Sequence, residues 1–462
     1  MTRGIDADVI IVGGGISGLA SAWGLERRGV RVILLEAAAH TGGCIGTTRE
    51  HGCLLESGPN SLLDTSPLIG PLLAELGIAG ARIPANPHAR NRYILRDGRL
   101  TALPLSPFSF LTTPLFSTPA KLRLFRELFV GAGKADVEES VADFVRRRLG
   151  SEFLDYAINP FVGGVYAGDP EMLSLSAAFP RLHELERQYG SLIRGQLLGA
   201  RARARDPEKS KQSATMFAFH DGMQTLTDAI ARRLARVELG AEVSSVAAGG
   251  TGCTVIALSA GVSREFHARA VLLAVPAYAA ANLVAPWAPQ AAAALAAIPY
   301  PPVAVVHSSY RRSAITHALD GFGMLVPQCE QRQILGTIFS SSLFANRAPD
   351  GQSLLTTFVG GARQSGLALL DAKEISGRVQ AEHAAVLGAS GSPELERVTR
   401  WIRAIPQYTL GHAKRVACVE EAERDFRGLF FCANYRGGVA LGDCIKSAHR
   451  SAQEVTAYLR AA

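Results

Sequence analysis

No C-x-x-C pair occurs anywhere in these 462 residues. The seven cysteines (Cys44, Cys53, Cys253, Cys329, Cys418, Cys432, Cys444) are odd in number and widely spaced. That excludes a disulfide framework and a thiolate zinc site, and points to reduced thiols in a cytoplasm. Residues 1–9, MTRGIDADV, lack the apolar core of a secretory leader. The stretch from Ala270 to Pro299 carries no charge, but Pro276, Pro286 and Pro289 interrupt it. We therefore expect a buried strand from Val271 to Val275, a loop and an alanine-rich helix there, not a membrane span. Basic residues are scattered and never interleave with aromatics, so no base-stacking surface for nucleic acid is expected. The formal net charge of +7 is compatible with anionic headgroups or a polyanionic substrate. No metal cluster and no obligate acid–base side chain is evident.

What is present begins at Asp8. Val9 to Val12 is short, apolar and β-branched, as a buried parallel strand is. Gly13, Gly15 and Gly18 follow in G-x-G-x-x-G spacing, then a helical pattern from Ile16 to Arg28 ending at Gly29. Arg31 to Leu35 is a second strand, closing on Glu36. Gly13 permits the tight turn, Gly15 lets a pyrophosphate approach the backbone, and Gly18 lets helix and strand pack closely. The helix start offers unpaired N–H groups to a phosphate. Glu36 suits ribose hydroxyls and argues against a 2′-phosphate. A dinucleotide site is the expectation.

Hydrophobic content of 48% with 19% charged residues describes a globular chain of two or three domains. After Glu36 the pair Gly42-Gly43 allows close backbone approach, and Glu56 to Ser61 reads as a turn. A helix is expected from Pro67 to Leu76, with Leu68, Leu72, Leu73 and Leu76 on one face. Asn91 to Leu100 reads as a hairpin about Asp97-Gly98, with Arg92, Ile94 and Arg96 on one face. From Ser106 to Arg205 helical signals dominate, at Thr118 to Phe129, Ser140 to Leu149, Glu152 to Ile158 and Pro180 to Gln188. Phe108, Phe110, Leu111, Leu115 and Phe116, with Lys121, Arg123 and Arg126, fit an amphipathic membrane-surface element or a subdomain buried on the rest. Glycine density from Asn159 to Pro170 implies sharp turns or backbone near a ligand. Arg201 to Lys211 reads as a charged surface loop. Thr225 to Val275 supplies further strands for the first sheet. Val303 to Tyr310, Gln333 to Ser340 and Leu354 to Gly360 form a second, antiparallel sheet, followed by helix from Ser365 to Leu387. Gly428 to Tyr435, Arg436 to Asp443 and the helix to Leu459 make a second strand, glycine turn and helix unit.

With these segments in view, the sequence resembles the FAD-dependent, oxygen-dependent protoporphyrinogen oxidases, within the monoamine oxidase and phytoene desaturase superfamily. ESGPNSL, NRYILRDGRL, FVGGVYAGDPEMLSLSAAF and NYRGGVALGDCI carry the resemblance most specifically. It implies an α/β (α+β) fold with a discontinuous Rossmann-like FAD-binding domain (1–85, 214–281 and 405–462). An antiparallel-sheet substrate domain (86–104 and 282–404) and a helical, membrane-associating subdomain (105–213) complete it.

The same resemblance implies non-covalent FAD. Its ADP half is held by Gly13, Gly15, Ile16, Ser17, Gly18 and Glu36, with Val243 at the adenine. Gly42 and Gly43 lie along the diphosphate, where His40 and Cys44 stand in place of the usual arginines, and Gly58 lies nearby. Val439, Ala440 and Leu441 meet the isoalloxazine. Arg92 matches an arginine that pairs with a substrate propionate, its plain alternative being a solvated hairpin arginine like Arg96. Gly164 falls in a backbone turn lining the cavity. Leu325, Leu343, Phe339 and Phe358 either clamp the macrocycle or are core, while Tyr93 and Asn60 are packing and turn residues. The implied reaction turns protoporphyrinogen IX into protoporphyrin IX with molecular oxygen. Implied partners are a peripheral membrane contact at the inner face of the cell membrane, hand-off to a ferrochelatase, and a homodimer. Three other functions stay open. A coproporphyrinogen III oxidase would want extra cations such as Arg311 and Arg312. An amine oxidase would want an aromatic cage, for which Tyr435 is the candidate. A flavin-bearing binding protein would show no turnover.

Overall fold

The computed structural model describes residues 5–133, 137–198, 214–249 and 252–461. The loop expected over Arg201 to Lys211 lies outside the described residues. Among those described, two seven-stranded sheets organise the chain.

The first sheet runs Val237–Leu239, Val32–Glu36, Ala7–Val12, Val262–Leu273, Gly252–Ser259 and Ala241–Gly249, with Leu429–Phe431 pairing to Val262–Leu273. The strands beside Ala7–Val12 are parallel to it. Strand alternation splits its apolar residues between two cores. Val9, Ile11, Leu34 and Leu272 face Leu19, Ile230 and Ile445, from helices Ile16–Glu26, Gln224–Ala231 and Leu441–Ala461. Ile10, Val12, Ile33 and Leu273 face Val284, Leu295 and Val419 on the other side. Both faces are covered, which is why these strands read as unbroken apolar runs.

The boundary expected at 281/282 is corrected here. It falls inside helix Ala277–Val284, and both that helix and Pro289–Ala296 pack into the first sheet's core. The two-helix arrangement also means that the uncharged stretch 270–299 is a strand end and two short buried helices. No helix among the described residues is long and apolar enough to cross a membrane.

The second sheet runs Leu395–Trp401, Val303–Arg311, Gln352–Gly360, Gly336–Phe339, Gly321–Leu325, Asn91–Arg96 and Arg99–Ala102. It is antiparallel except where Gly321–Leu325 lies parallel to Asn91–Arg96. The hairpin turns at Asp97 and Gly98, both at positive φ (52° and 72°), as a two-residue primed turn requires. Helix Ala372–Leu387 covers one face through Ile375 and Val379.

Helical segments between 107 and 198 cover the other face. Leu115, Phe116, Phe144 and Phe153 form their core with Ile94 of the hairpin. Phe116 and Phe153 stack at 4.3 Å. Arg148, fully buried, bonds Glu127 and Glu186 within this bundle. The apolar run at 108–116 therefore divides: Leu115 and Phe116 are core, while Phe108 and Leu111 are exposed. Of the two readings of the glycine-dense stretch, the sharp turn fails. Asn159–Tyr166 is an α-helix, and its end is marked by Ala167 in the left-handed region, so Gly163 and Gly164 are helix-interior residues and not a sharp turn.

Candidate active site

Glycines shape the first half of the site. Gly13 has φ of +106°, and a Cβ there would lie 2.8 Å from the Ala274 carbonyl oxygen. A Cβ on Gly18 would lie 1.9 Å from the Gly13 oxygen, so only glycine lets helix and strand approach this closely. Gly15 is extended, with nothing within 4 Å of where its Cβ would be. Gly42 donates to the Gly14 oxygen at 2.8 Å, and Gly43 has φ of +61° with its Cβ position 3.4 Å from Gly15 Cα. The two glycine segments thus lie against each other, with Gly15 open to an incoming group. Ile16 and Ser17 are buried in the first helical turn, whose N-cap makes no side-chain hydrogen bond. Those N–H groups remain available to an anion. His40 and Cys44 are exposed at the rim. Gly58 closes against Cys44, whose carbonyl oxygen is 2.3 Å from the Gly58 Cβ position.

A cavity of about 280 Å³ continues from Gly13 and is walled by Glu36, Val243, Val275 and Asn282. Glu36 accepts from the Gly14 N–H at 2.6 Å and from the Ala38 N–H at 2.7 Å. Its carboxylate is fixed at the cavity wall with lone pairs left over. Cradle, uncapped helix start, carboxylate and adjoining cavity fit an adenosine diphosphate group. Val243, placed by resemblance alone, lies in the same cavity.

The C-terminal unit reaches the same place. Helix Leu441–Ala461 packs so tightly on Ile16–Glu26 that a Cβ on Gly24 would lie 3.0 Å from Ala452 Cβ. The Ser17 hydroxyl lies against the Cys444 thiol, which burial pushes up to about 12 and so keeps inert. Before this helix, Gly437 and Gly438 take positive φ (86° and 119°), presenting Val439, Ala440 and Leu441. Tyr408 holds that turn. Its hydroxyl donates to the Asn434 oxygen at 2.7 Å and accepts from the Gly438 N–H at 2.9 Å. Its ring stacks on His412 at 4.2 Å. Neither Tyr408 nor His412 was identifiable beforehand, because both lie in a segment without strand or motif.

Val439 and Leu325 pack against the same helical core, so the C-terminal turn, the second sheet and the helical bundle converge. Gly164 belongs to this junction, since its Cβ would lie 2.7 Å from Leu325 Cδ2. Arg92 is exposed, with its guanidinium 5.6 Å from the Phe322 ring centre and no carboxylate within 4 Å among the described residues. Arg96 is not a solvated hairpin arginine. It bonds the Glu152 carboxylate at 2.6 Å and lies over the Tyr156 ring.

Other candidates move away from the site. Phe339 and Leu343 are fully packed core, whereas Leu325 and Phe358 are half-buried. Arg311 pairs with Glu394, and both Nη atoms of Arg312 are taken up by the carbonyls of Ile315, His317 and Ala318 just past the end of strand Val303–Arg311. Tyr435 is 1% exposed within the first sheet's core and forms no cage.

The profile of the flavin containing amine oxidoreductases matches residues 16–456. The chain belongs to that family. It is similar to the chloroplastic protoporphyrinogen oxidase of Oryza sativa subsp. japonica, 36% identical over 98% of this chain and 89% of that one. It is also similar to the coproporphyrinogen III oxidase of Propionibacterium freudenreichii subsp. freudenreichii, 33% identical over 97% and 90%. A crystal structure from Exiguobacterium sp. 255-15 superposes with a TM-score of 0.81 at 24% identity, covering 98% and 99% of the two chains. The family's flavin accords with the cradle and cavity just described.

Proposed function

We propose that this protein is an FAD-dependent porphyrinogen oxidase converting protoporphyrinogen IX to protoporphyrin IX. The observation that carries the reading is the meeting of the two glycine units beside a wall formed by Leu325, Gly164 and Val439, with the unpaired Arg92 on the same sheet. The names of full-length relatives support it. When bound, FAD would supply the hydride-accepting chemistry for the six-electron oxidation of the macrocycle in three rounds, with molecular oxygen as the final acceptor and hydrogen peroxide as its product.

The chain's own residues bind, orient and desolvate. Gly15, Ile16, Ser17, Gly42 and Gly43 receive the diphosphate, Glu36 the ribose, and Val243 the adenine. Val439, Ala440 and Leu441 would hold the flavin ring, and the positive end of helix Leu441–Ala461 would stabilise negative charge on it. Leu325 and Phe358 flank the macrocycle, and Arg92 pairs with one propionate. Leu105, Phe108, Leu122, Phe125 and Phe129 are apolar side chains of the helical segment, each at least 60% exposed, and Arg123 and Arg126 lie on the same helix as Leu122 and Phe125. These side chains suit a peripheral membrane contact through which an apolar product could pass to a ferrochelatase.

Arg92→Ala tests the assignment. It weakens protoporphyrinogen binding by about 1.5–3 kcal/mol, the range for a charged hydrogen bond, read as a rise in KM with kcat largely kept. An unchanged KM would remove Arg92 from the site. Oxidation of coproporphyrinogen III is the second reading, favoured by full-length similarity to enzymes of that name. Anaerobic mixing of the flavin-loaded protein with each porphyrinogen separates these readings from a binding role, for which neither substrate bleaches the flavin.

A further inference from the structure

Arg363 is a half-buried guanidinium held by neutral groups. It follows strand Gln352–Gly360, after Gly360 and Gly361 turn the chain at positive φ (98° and 73°). The next residue, Ala362, donates to the Ala167 oxygen at 2.7 Å and pins this turn to the end of helix Asn159–Tyr166. Arg363 Nη1 donates to Asn159 Oδ1 at 2.5 Å and lies 3.5 Å from Gln328 Oε1. Nη2 is 2.7 Å from where a Gly163 Cβ would be, so it occupies space that only a glycine leaves open.

No carboxylate lies within 4 Å of Arg363 among the described residues. Asp169 acts on it only at longer range, and burial pulls its pKa below the usual arginine value. Three other buried or part-buried arginines differ. Arg148 pairs with Glu127 and Glu186, Arg96 with Glu152, and Arg436 with Glu423. Amide oxygens orient a guanidinium but leave its charge uncompensated, and an uncompensated charge in a partly desolvated place favours an incoming anion.

The geometry also puts Arg363 on the wall that carries Arg92. Gly163 faces Arg363, and the next residue, Gly164, faces Leu325. Leu325 is in register with Ile94, two residues from Arg92 and so on the same face. Between the strand of Arg92 and the strand leading to Arg363 there are three strand spacings, about 14 Å. The two arginines are therefore set apart across the sheet by about that span, with Arg363 three residues past the end of its strand. Protoporphyrinogen IX carries propionates on two neighbouring rings only, which one side can serve. Coproporphyrinogen III carries one on each of its four rings, so a propionate also faces the far side.

We propose that Arg363 is a second carboxylate anchor of the macrocycle cavity and sets how this enzyme ranks a four-propionate against a two-propionate porphyrinogen. The inference rests on the porphyrinogen reading above. Its test is steady-state oxidation of both substrates by the FAD-loaded full chain and by Arg363→Gln, Arg363→Lys and Gly163→Ala. Arg363→Gln raises KM for coproporphyrinogen III at least tenfold more than KM for protoporphyrinogen IX. Arg363→Lys recovers part of that difference. Gly163→Ala, which displaces the guanidinium without removing its charge, shifts the ratio the same way and carries the test if Arg363→Gln loses flavin or melts early. An unchanged ratio in the variants, or no turnover of coproporphyrinogen III by the unmodified protein, overturns the role of Arg363 and leaves the porphyrinogen reading standing. Turnover of neither porphyrinogen by the unmodified protein overturns both.

Discussion

In the first sheet, Val9–Val12, Val32–Leu35 and Ala270–Leu273 are aliphatic throughout and at most 5% exposed. The second sheet buries His307, Ser308, Ser309, Thr356 and Thr357 at its centre. Several of its polar atoms are tied to one another: Thr357 bonds Thr337 at 3.0 Å and His383 at 2.8 Å, and Ser340 bonds Thr356 at 2.7 Å, whereas neither ring nitrogen of His307 finds a hydrogen-bond partner among the described residues. One sheet is held by uniform apolar burial and close backbone approach, the other carries a side-chain hydrogen-bond chain through its interior. The difference matters for function. The first sheet needs a rigid cradle whose shape is set by missing side chains. The second must present different side chains along one face, and it carries polar groups through its interior to do so.

The comparison is sharpest where a methyl is added. Gly18→Ala should cost the first sheet about 3 kcal/mol, since overpacking meets backbone and not a mobile side chain. The readout is a purified protein with little bound flavin and a lower melting temperature. A variant that keeps full flavin would break the claim that this contact forms the cradle.

Acid should separate the two sheets next. Burial pulls His383 down to about 4 in the folded protein, well below its ordinary value of 6.5. The unfolded chain then binds the extra proton first. Stability is fully present above about pH 6.5 and falls by about 2–3 kcal/mol as pH drops toward 4. Hydrogen exchange at pH 7.5 and 4.5 should show the second sheet losing protection before the first, and His383→Gln should reduce that dependence, the remainder belonging to His307, which burial also pulls down to about 4. Equal loss in both sheets would count against the contrast.

Thr357→Val removes one member of the polar chain and should cost about 1–2 kcal/mol by denaturant melts, with the nucleotide cradle untouched. The smallest effect belongs to Gly163→Ala. Its methyl meets only the movable end of Arg363, and alanine favours the helix, so stability should hold or rise by up to about 1 kcal/mol. Gly18 and Gly163 thus answer the same kind of change with opposite signs, which thermal melts of the two variants will show.

Much of the first sheet was legible because buried parallel strands and a glycine turn leave a local signature. Val9 to Val12, Gly13 to Gly18 and Glu36 lie within thirty residues of one another, and their order fixes the geometry. The hairpin at Asp97-Gly98 was legible for the same reason. The helical Asn159–Tyr166 was not, because glycines normally mark turns and here serve to thin a helix against Leu325 and Arg363. Arg96 and Arg92 could not be told apart either. They are alike in strand position and differ only in that Glu152, far along the chain, reaches one of them.

The sequence alone determined where backbone must turn left-handed, where apolar runs must be buried, and that a glycine cradle and a carboxylate would stand together. Those follow from steric limits and burial, which act over a few neighbouring residues. Only the tertiary structure decided which charged and polar groups keep a partner. Pairing depends on segments distant in the chain being folded against each other, and that is why Arg92 and Arg363 stand uncompensated on one wall while their neighbours do not.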